Sequence, residues 1–325
     1  MRIGVIGGGA WGTALAQTVA GDGQPVLLWA READVVAAIN RGEGNPLFLA
    51  GVPLSPAIRA TDDLGAMAAV DALLVVTPAQ HLRGVMAQLP PLRIPLVLCA
   101  KGIEAGSRML MSEVAAAVQP EAAVAVLSGP TFAHEVAAGL PTAITLACAD
   151  EALAQRLCQR LARPTFRPYV STDVIGAEIG GAVKNVLAIA CGVVEGMGLG
   201  QNARAALISR GFAEMSRFGL ARGARPETLA GLSGLGDLVL TCSSTSSRNF
   251  SLGKAIGEGG DPALLMADRR TVAEGAFTAP VLAEAAQAAG VEMPIVGAVC
   301  ALLAGAARAD AVVASLLARP LKAEG

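Results

Sequence analysis

The sequence predicts an α/β protein, a doubly wound sheet followed by an all-α C-terminal domain. Three observations carry this. A short apolar strand at the start runs straight into a glycine-rich segment, Gly7–Gly12. Continuous apolar runs then alternate with helical patterns through the first half, the signature of βαβ units. After about Tyr169 the strand patterns fade and long helical patterns replace them.

The expected strands, in order, are Arg2–Ile6, Val26–Trp29, Ile58–Thr61, Ala72–Val76, Leu96–Cys99, Val124–Leu127 and Ala143–Ala147. Most are uninterrupted apolar runs, as parallel strands covered on both faces require. Helical spacing fills the gaps, for example over Trp11–Gly21 and Leu110–Val118. In the second half it covers Asp173–Val194, Ala203–Phe218, Phe250–Gly257, Phe277–Ala289 and Ile295–Ala307. The boundary is placed between two domains, 1–168 and 169–325. No low-complexity linker separates them, and the tail after Ala314 is expected to fray.

Gly7-Gly8-Gly9-Ala10-Trp11-Gly12 holds a G-x-G-x-x-G pattern. Following a strand and opening a helix, it is the fingerprint of a Rossmann-type dinucleotide site. Gly7 permits the turn, Gly9 lets the backbone approach a pyrophosphate, and Gly12 lets helix and strand pack closely. The helix start at Ala10 and Trp11 offers free N–H groups to the phosphates. Arg31, at the end of the second strand, stands where NAD-preferring sites place a carboxylate. A guanidinium there favours the 2′-phosphate of NADP. Arg31 is equally consistent with an exposed residue starting a helix, and Glu32 beside it keeps NAD open. The cofactor expected is NADP or NAD.

The stretch Ile179–Val194 carries a single charge, Lys184. A helix this apolar is buried nearly all round, and a buried lysine needs a reason. Gly180 and Gly181 lie on its face and leave room beside the amine. Lys184 reads either as a structural lysine paired with a carboxylate or as a general acid and base. Burial lowers an amine's pKa towards neutrality.

Three segments suit a phosphorylated ligand. Lys101 follows a strand's C-terminal end, Ser128-Gly129-Pro130-Thr131 ends a strand and starts a helix, and Thr241–Asn249 is a hydroxyl-rich run closing with Arg248 and Asn249. Arginine grips phosphate with two donors. Each segment taken alone is equally well a surface turn, a helix start or a solvated loop.

Composition narrows the classes. Hydrophobic residues reach 53% and charged residues 16%, which argues against disorder. A net charge of −2 with no basic stripe argues against nucleic acid as a partner. The six cysteines form no C-x-x-C pair, and the first residues already read as a strand rather than a signal peptide. Both point to a reduced, cytoplasmic protein. The apolar run Ile295–Ala307 is too short to span a bilayer. With only His81 and His134, no metal site is expected. The sequence leaves the oligomeric state open, a homodimer included.

Together these segments resemble the bacterial type of NAD(P)-dependent glycerol-3-phosphate dehydrogenase. The matching stretches are GGGAWGTALA at 7–16, AKGIE at 100–104, LSGPTFAHEV at 127–136, GGAVKNVLAIACG at 180–192, LSGLGDLVLTC at 232–242 and SSRNFSLG at 246–253. The resemblance implies reversible reduction of dihydroxyacetone phosphate to sn-glycerol 3-phosphate, feeding glycerophospholipid synthesis. It implies that Lys184 transfers the proton and that Lys101 touches both substrate and cofactor. It makes Gly129, Thr131, Asp237, Ser247, Arg248 and Asn249 substrate contacts. It adds Ala10, Trp11, Arg31, Ala133, Arg248, Val272 and Glu274 as cofactor contacts. Ala10 departs from the serine the family often has there, so a hydroxyl contact to the pyrophosphate is lost. The alternative enzyme is a β-hydroxyacid or ketopantoate-type reductase, acting on a carboxylate. A dinucleotide-sensing regulator would keep the glycine loop but need neither lysine.

Overall fold

The computed structural model describes residues 1–267 and 273–318. The strands are β1 (Ile3–Ile6), β2 (Val26–Trp29), β3 (Ile58–Thr61), β4 (Ala72–Val75), β5 (Leu96–Leu98), β6 (Val124–Ser128), β7 (Thr142–Cys148) and β8 (Phe166–Ser171). They form one eight-stranded sheet in the order β3-β2-β1-β4-β5-β6-β7-β8. The first six strands are mutually parallel in the 3-2-1-4-5-6 order of the Rossmann fold. Every residue of β1, β4 and β5 is buried, as their uninterrupted apolar runs require.

Side chains alternate between the two faces. Ile3, Val5, Leu74, Val97 and Leu127 enter one core with Leu15 and Leu157. Ile6, Leu73, Val75, Leu96 and Val126 enter the other with Met86 and Val114. Helices therefore cover both faces, as the doubly wound reading expects.

Two features differ from the sequence reading. β7 runs antiparallel to β6, so the sheet is not parallel throughout. The helix between them, Ala133–Ala137, has 5 residues. It spans about 7–8 Å, too short to carry the chain back along a strand for a parallel return. β8 is the strand the sequence reading lacks, and the boundary expected between 168 and 169 falls inside it. Its Pro168 argues against a central strand, and β8 sits at the sheet edge, where proline is tolerated. Its burial alternates, with Phe166 and Pro168 buried and Arg167 and Tyr169 exposed.

The chain forms two compact units, residues 1–181 with 224–237, and residues 182–223 with 238–325. It passes from the first unit to the second within the helix Val174–Gly196. The described part of the second unit is helical, with helices Gly200–Ala221, Arg248–Gly257, Pro262–Ala267, Glu274–Ala288, Pro294–Leu303 and Ala309–Leu317. The last of these continues past Ala314, where fraying was expected, because Val312 and Leu316 pack into a small cluster with Val193, Ile256 and Leu302.

Glycine sets the spacing of this unit's two central helices. A side chain at Gly192 would lie 2.0 Å from the Phe250 carbonyl oxygen, and one at Gly253 2.0 Å from that of Ile189. The backbones pack directly, which accounts for the small-residue composition of this stretch. Glu214, 2% exposed, accepts from the Ile295 and Val296 amides and satisfies the start of helix Pro294–Leu303. By length and composition, helix Val174–Gly196 could cross a membrane, but 83% of its most apolar window is buried inside the protein.

Candidate active site

In the first unit β1 ends at Ile6, and Gly7 turns the chain with φ +125°. A Cβ at Gly7 would lie 3.0 Å from the Val76 carbonyl, and one at Gly12 1.8 Å from the Gly7 carbonyl oxygen. Both positions are closed to any side chain. Gly9, the N-cap of helix Ala10–Val19, is the opposite case: nothing lies within 4 Å of a Cβ built there. No side chain caps this helix start. The loop is thus packed on one side and open at Gly9, leaving space and unfilled amides for a diphosphate. These residues fit a dinucleotide.

Ala10 and Trp11 open the helix, and Trp11 packs on the first core with its Nε1 buried and unpartnered. Arg31 follows β2 and is 79% exposed, with its guanidinium 2.8 Å from Glu32 Oε1. Helix Ala33–Asn40 starts two residues later, capped at Glu32. Arg31 stands at the strand end the sequence reading gave it, paired with the carboxylate that kept NAD open.

Lys101 follows β5, and Gly129 follows β6. Because β1, β2, β5 and β6 are parallel, Gly7, Arg31, Lys101 and Gly129 all emerge at the same edge of the sheet, the edge where open α/β sheets bind ligands. Lys101 Nζ donates to Asp237 Oδ2 at 2.7 Å and to the Gly129 carbonyl at 3.0 Å. Thr131 Oγ1 donates to the same carbonyl at 3.2 Å. Asp237 is 0% exposed and ends a π-helical turn, Leu232–Gly236, an irregularity frequent at functional sites. Ala133 is the first residue of the short helix after Phe132.

Gly180 and Gly181 do not leave empty room, as the sequence reading expected. A Cβ at Gly180 would lie 2.2 Å from the Ser233 carbonyl oxygen, and one at Gly181 3.1 Å from Lys101 Cγ and 3.0 Å from Ser128 Oγ. The glycines admit the backbone that carries Asp237 and the stem of Lys101. Burial raises the thiol of Cys99, two residues before Lys101, to about 12.

In the second unit Lys184 is 6% exposed, and its Nζ donates to Thr241 Oγ1 at 2.8 Å. Thr241 opens the hydroxyl-rich run of the sequence, but its pairing with Lys184 is not foreseen there. The two residues are 57 apart in the chain, so no local pattern signals the pairing. Ser247 caps helix Arg248–Gly257 by accepting from the Phe250 amide. Arg248, the first residue of that helix, is exposed. Asn249 is buried, donating to Asn185 Oδ1 at 3.1 Å and accepting from the Gly275 amide at 2.8 Å. Those bonds fix the start of helix Glu274–Ala288, where Glu274 is the first residue. Val272 lies outside the described residues.

Known proteins match the whole chain. Residues 2–154 match the family described as NAD-dependent glycerol-3-phosphate dehydrogenase N-terminus, and residues 173–314 the corresponding C-terminus. A glycerol-3-phosphate dehydrogenase [NAD(P)+] 1 of Sphingopyxis alaskensis is 67% identical over 100% of this chain and 98% of its own. The crystal structure of glycerol-3-phosphate dehydrogenase from Coxiella burnetii superposes with a TM-score of 0.93 at 39% identity, covering 98% of this chain and 99% of that one. A ketopantoate reductase from Ralstonia eutropha JMP134, at 15% identity and a TM-score of 0.60 over 96% of this chain and all of its own, shares the fold alone.

Proposed function

The chain belongs to the NAD(P)-dependent glycerol-3-phosphate dehydrogenase family, and from that premise we propose that it reduces dihydroxyacetone phosphate reversibly to sn-glycerol 3-phosphate, feeding glycerophospholipid synthesis. The observation that carries this reading is the partly buried Lys101–Asp237 pair at the same sheet edge as an open glycine loop. Fold likeness at 15% identity gives the ketopantoate alternative no comparable support.

The first unit would bind the dinucleotide through Gly7, Gly9, Ala10, Trp11, Gly12, Arg31 and Ala133; Val272 and Glu274 are the late cofactor contacts that the family resemblance implies. When bound, the reduced nicotinamide supplies a hydride to C2 of the ketone. The carbonyl oxygen then gains negative charge. The Lys101 ammonium, oriented by Asp237 and the Gly129 carbonyl, would stabilise that charge. Lys184 would deliver the proton that completes the alcohol, with Thr241 holding its amine. In the reverse direction Lys184 would take the proton back.

Gly129, Thr131, Ser247, Arg248 and Asn249 would bind the phosphate end, Arg248 with two donors. Asn249 would do so with the capacity left by its bonds to Asn185 and Gly275. A cytoplasmic homodimer completes the reading, and sedimentation velocity checks its second half.

The test is oxidation of NADPH and NADH against a substrate panel. Turnover of dihydroxyacetone phosphate and none of ketopantoate supports the assignment, and the reverse pattern rejects it. The ratio of kcat/KM for NADPH over NADH decides what Arg31 selects.

A further inference from the structure

The glycine loop is gripped by a side chain from outside its own motif. Asn45 lies between helix Ala33–Asn40 and β3 and is 1% exposed. Its Nδ2 donates to the Gly8 carbonyl at 2.8 Å and to Thr13 Oγ1 at 2.8 Å. Its Oδ1 accepts from the Phe48 amide at 3.1 Å, and its carbonyl accepts from the Leu49 amide at 2.9 Å. The side chain is itself fixed by a tight turn. Gly8 also packs closely on Ala30, where an added Cβ would lie 2.4 Å from Ala30 Cβ.

This grip has a directional consequence. A trans peptide is planar, so its carbonyl and its N–H point opposite ways. Holding the Gly8 carbonyl against Asn45 aims the Gly9 N–H away from Asn45. Gly9 is the residue whose Cβ site is open. The orientation of that amide is therefore set before any ligand arrives, which lowers the ordering cost of binding.

We propose that Asn45 is a positioning residue for the dinucleotide: it fixes the Gly8–Gly9 peptide so that the Gly9 amide faces the diphosphate. The inference rests on the first unit binding NAD(P), as proposed above. Asn45 acts through the loop and needs no contact with the ligand.

The test uses the full chain and NADPH itself. Asn45→Asp keeps the size and the Phe48 bond but replaces both N–H donors by an acceptor facing the Gly8 carbonyl. Its Kd for NADPH, by titration calorimetry, should rise about tenfold or more, the scale of one or two buried hydrogen bonds. KM for dihydroxyacetone phosphate should stay within about twofold, a split expected if only the dinucleotide subsite is disturbed. Asn45→Ser, which retains one donor, takes its place if the aspartate variant does not fold, with the same expected rise. A folded variant with lowered Tm but wild-type Kd for NADPH overturns the proposal and leaves Asn45 a structural tie. A wild-type protein that binds neither NADPH nor NADH overturns it together with the dinucleotide reading.

Discussion

Lys101 Nζ lies 2.7 Å from the carboxylate of Asp237, 136 residues further along the chain, and that carboxylate is wholly buried. Two lone charges in such a place would each be costly. Paired, they hold an ammonium at the ligand-binding edge of the sheet with its orientation set.

The pair makes stability and activity separable. Asp237→Ala leaves a partly buried ammonium without its carboxylate and should cost about 3 kcal/mol, the low end for a broken buried pair, since Lys101 is 13% exposed. The double variant Lys101→Met with Asp237→Leu should recover most of that stability, because two apolar residues satisfy each other. It should stay inactive. Chemical denaturation and steady-state turnover on the same three proteins check both halves.

Lys184→Ala should fold and bind cofactor yet lose about 10²–10⁴-fold in kcat, the scale of a missing acid–base group. Stopped-flow measurement of the hydride step, alongside NADPH titration, distinguishes lost chemistry from lost binding. Near-normal turnover would remove Lys184 from its proposed role.

Two glycines should respond oppositely to alanine. Gly192→Ala drives a methyl into the Phe250 carbonyl, 2.0 Å away, and should destabilise by about 2–3 kcal/mol through overpacking. Gly297, exposed in helix Pro294–Leu303 with nothing within 4 Å of its Cβ site, should gain about 0.5–1 kcal/mol on becoming alanine. Urea midpoints measured side by side decide the sign of each.

The loop after Lys101 should carry a pH signature. Glu104 accepts both arms of the Arg83 guanidinium at 2.8 Å, and this hydrogen bonding holds its carboxyl below the usual glutamate value of 4.5. A depressed folded-state pKa contributes stability above the unfolded value and loses it as pH falls. Wild type should therefore lose more stability below about pH 4.5 than Glu104→Gln, whose amide does not titrate there. Arg83 is 40% exposed, so added salt should shrink the difference. Melting temperatures across that range, at low and high salt, test it.

Much of the first unit was legible because its information is local. Gly7, Gly9 and Gly12 sit close together in the chain, and the apolar runs of β1, β2, β4, β5 and β6 each declare a strand within a few residues. Lys184 stands out for the same reason, as the single charge of the apolar stretch Ile179–Val194. β8 is harder to read because Pro168 interrupts the alternation of Phe166, Arg167, Pro168 and Tyr169, and proline in a strand marks an edge position. The role of Gly181 could not be read either, since what fills its missing side chain is the stem of Lys101.

The residue order alone thus determined the glycine cradle, the doubly wound sheet and the burial of Lys184 in an apolar stretch, because each depends on neighbours within a turn or a strand. Tertiary structure decided which carboxylate holds Lys101, which hydroxyl meets Lys184, and that Asn45, 37 residues from Gly8, grips the loop. Those pairings arise only when distant segments are brought together by burial of the cores. No periodicity along the chain encodes a contact whose two halves share neither an element nor a spacing.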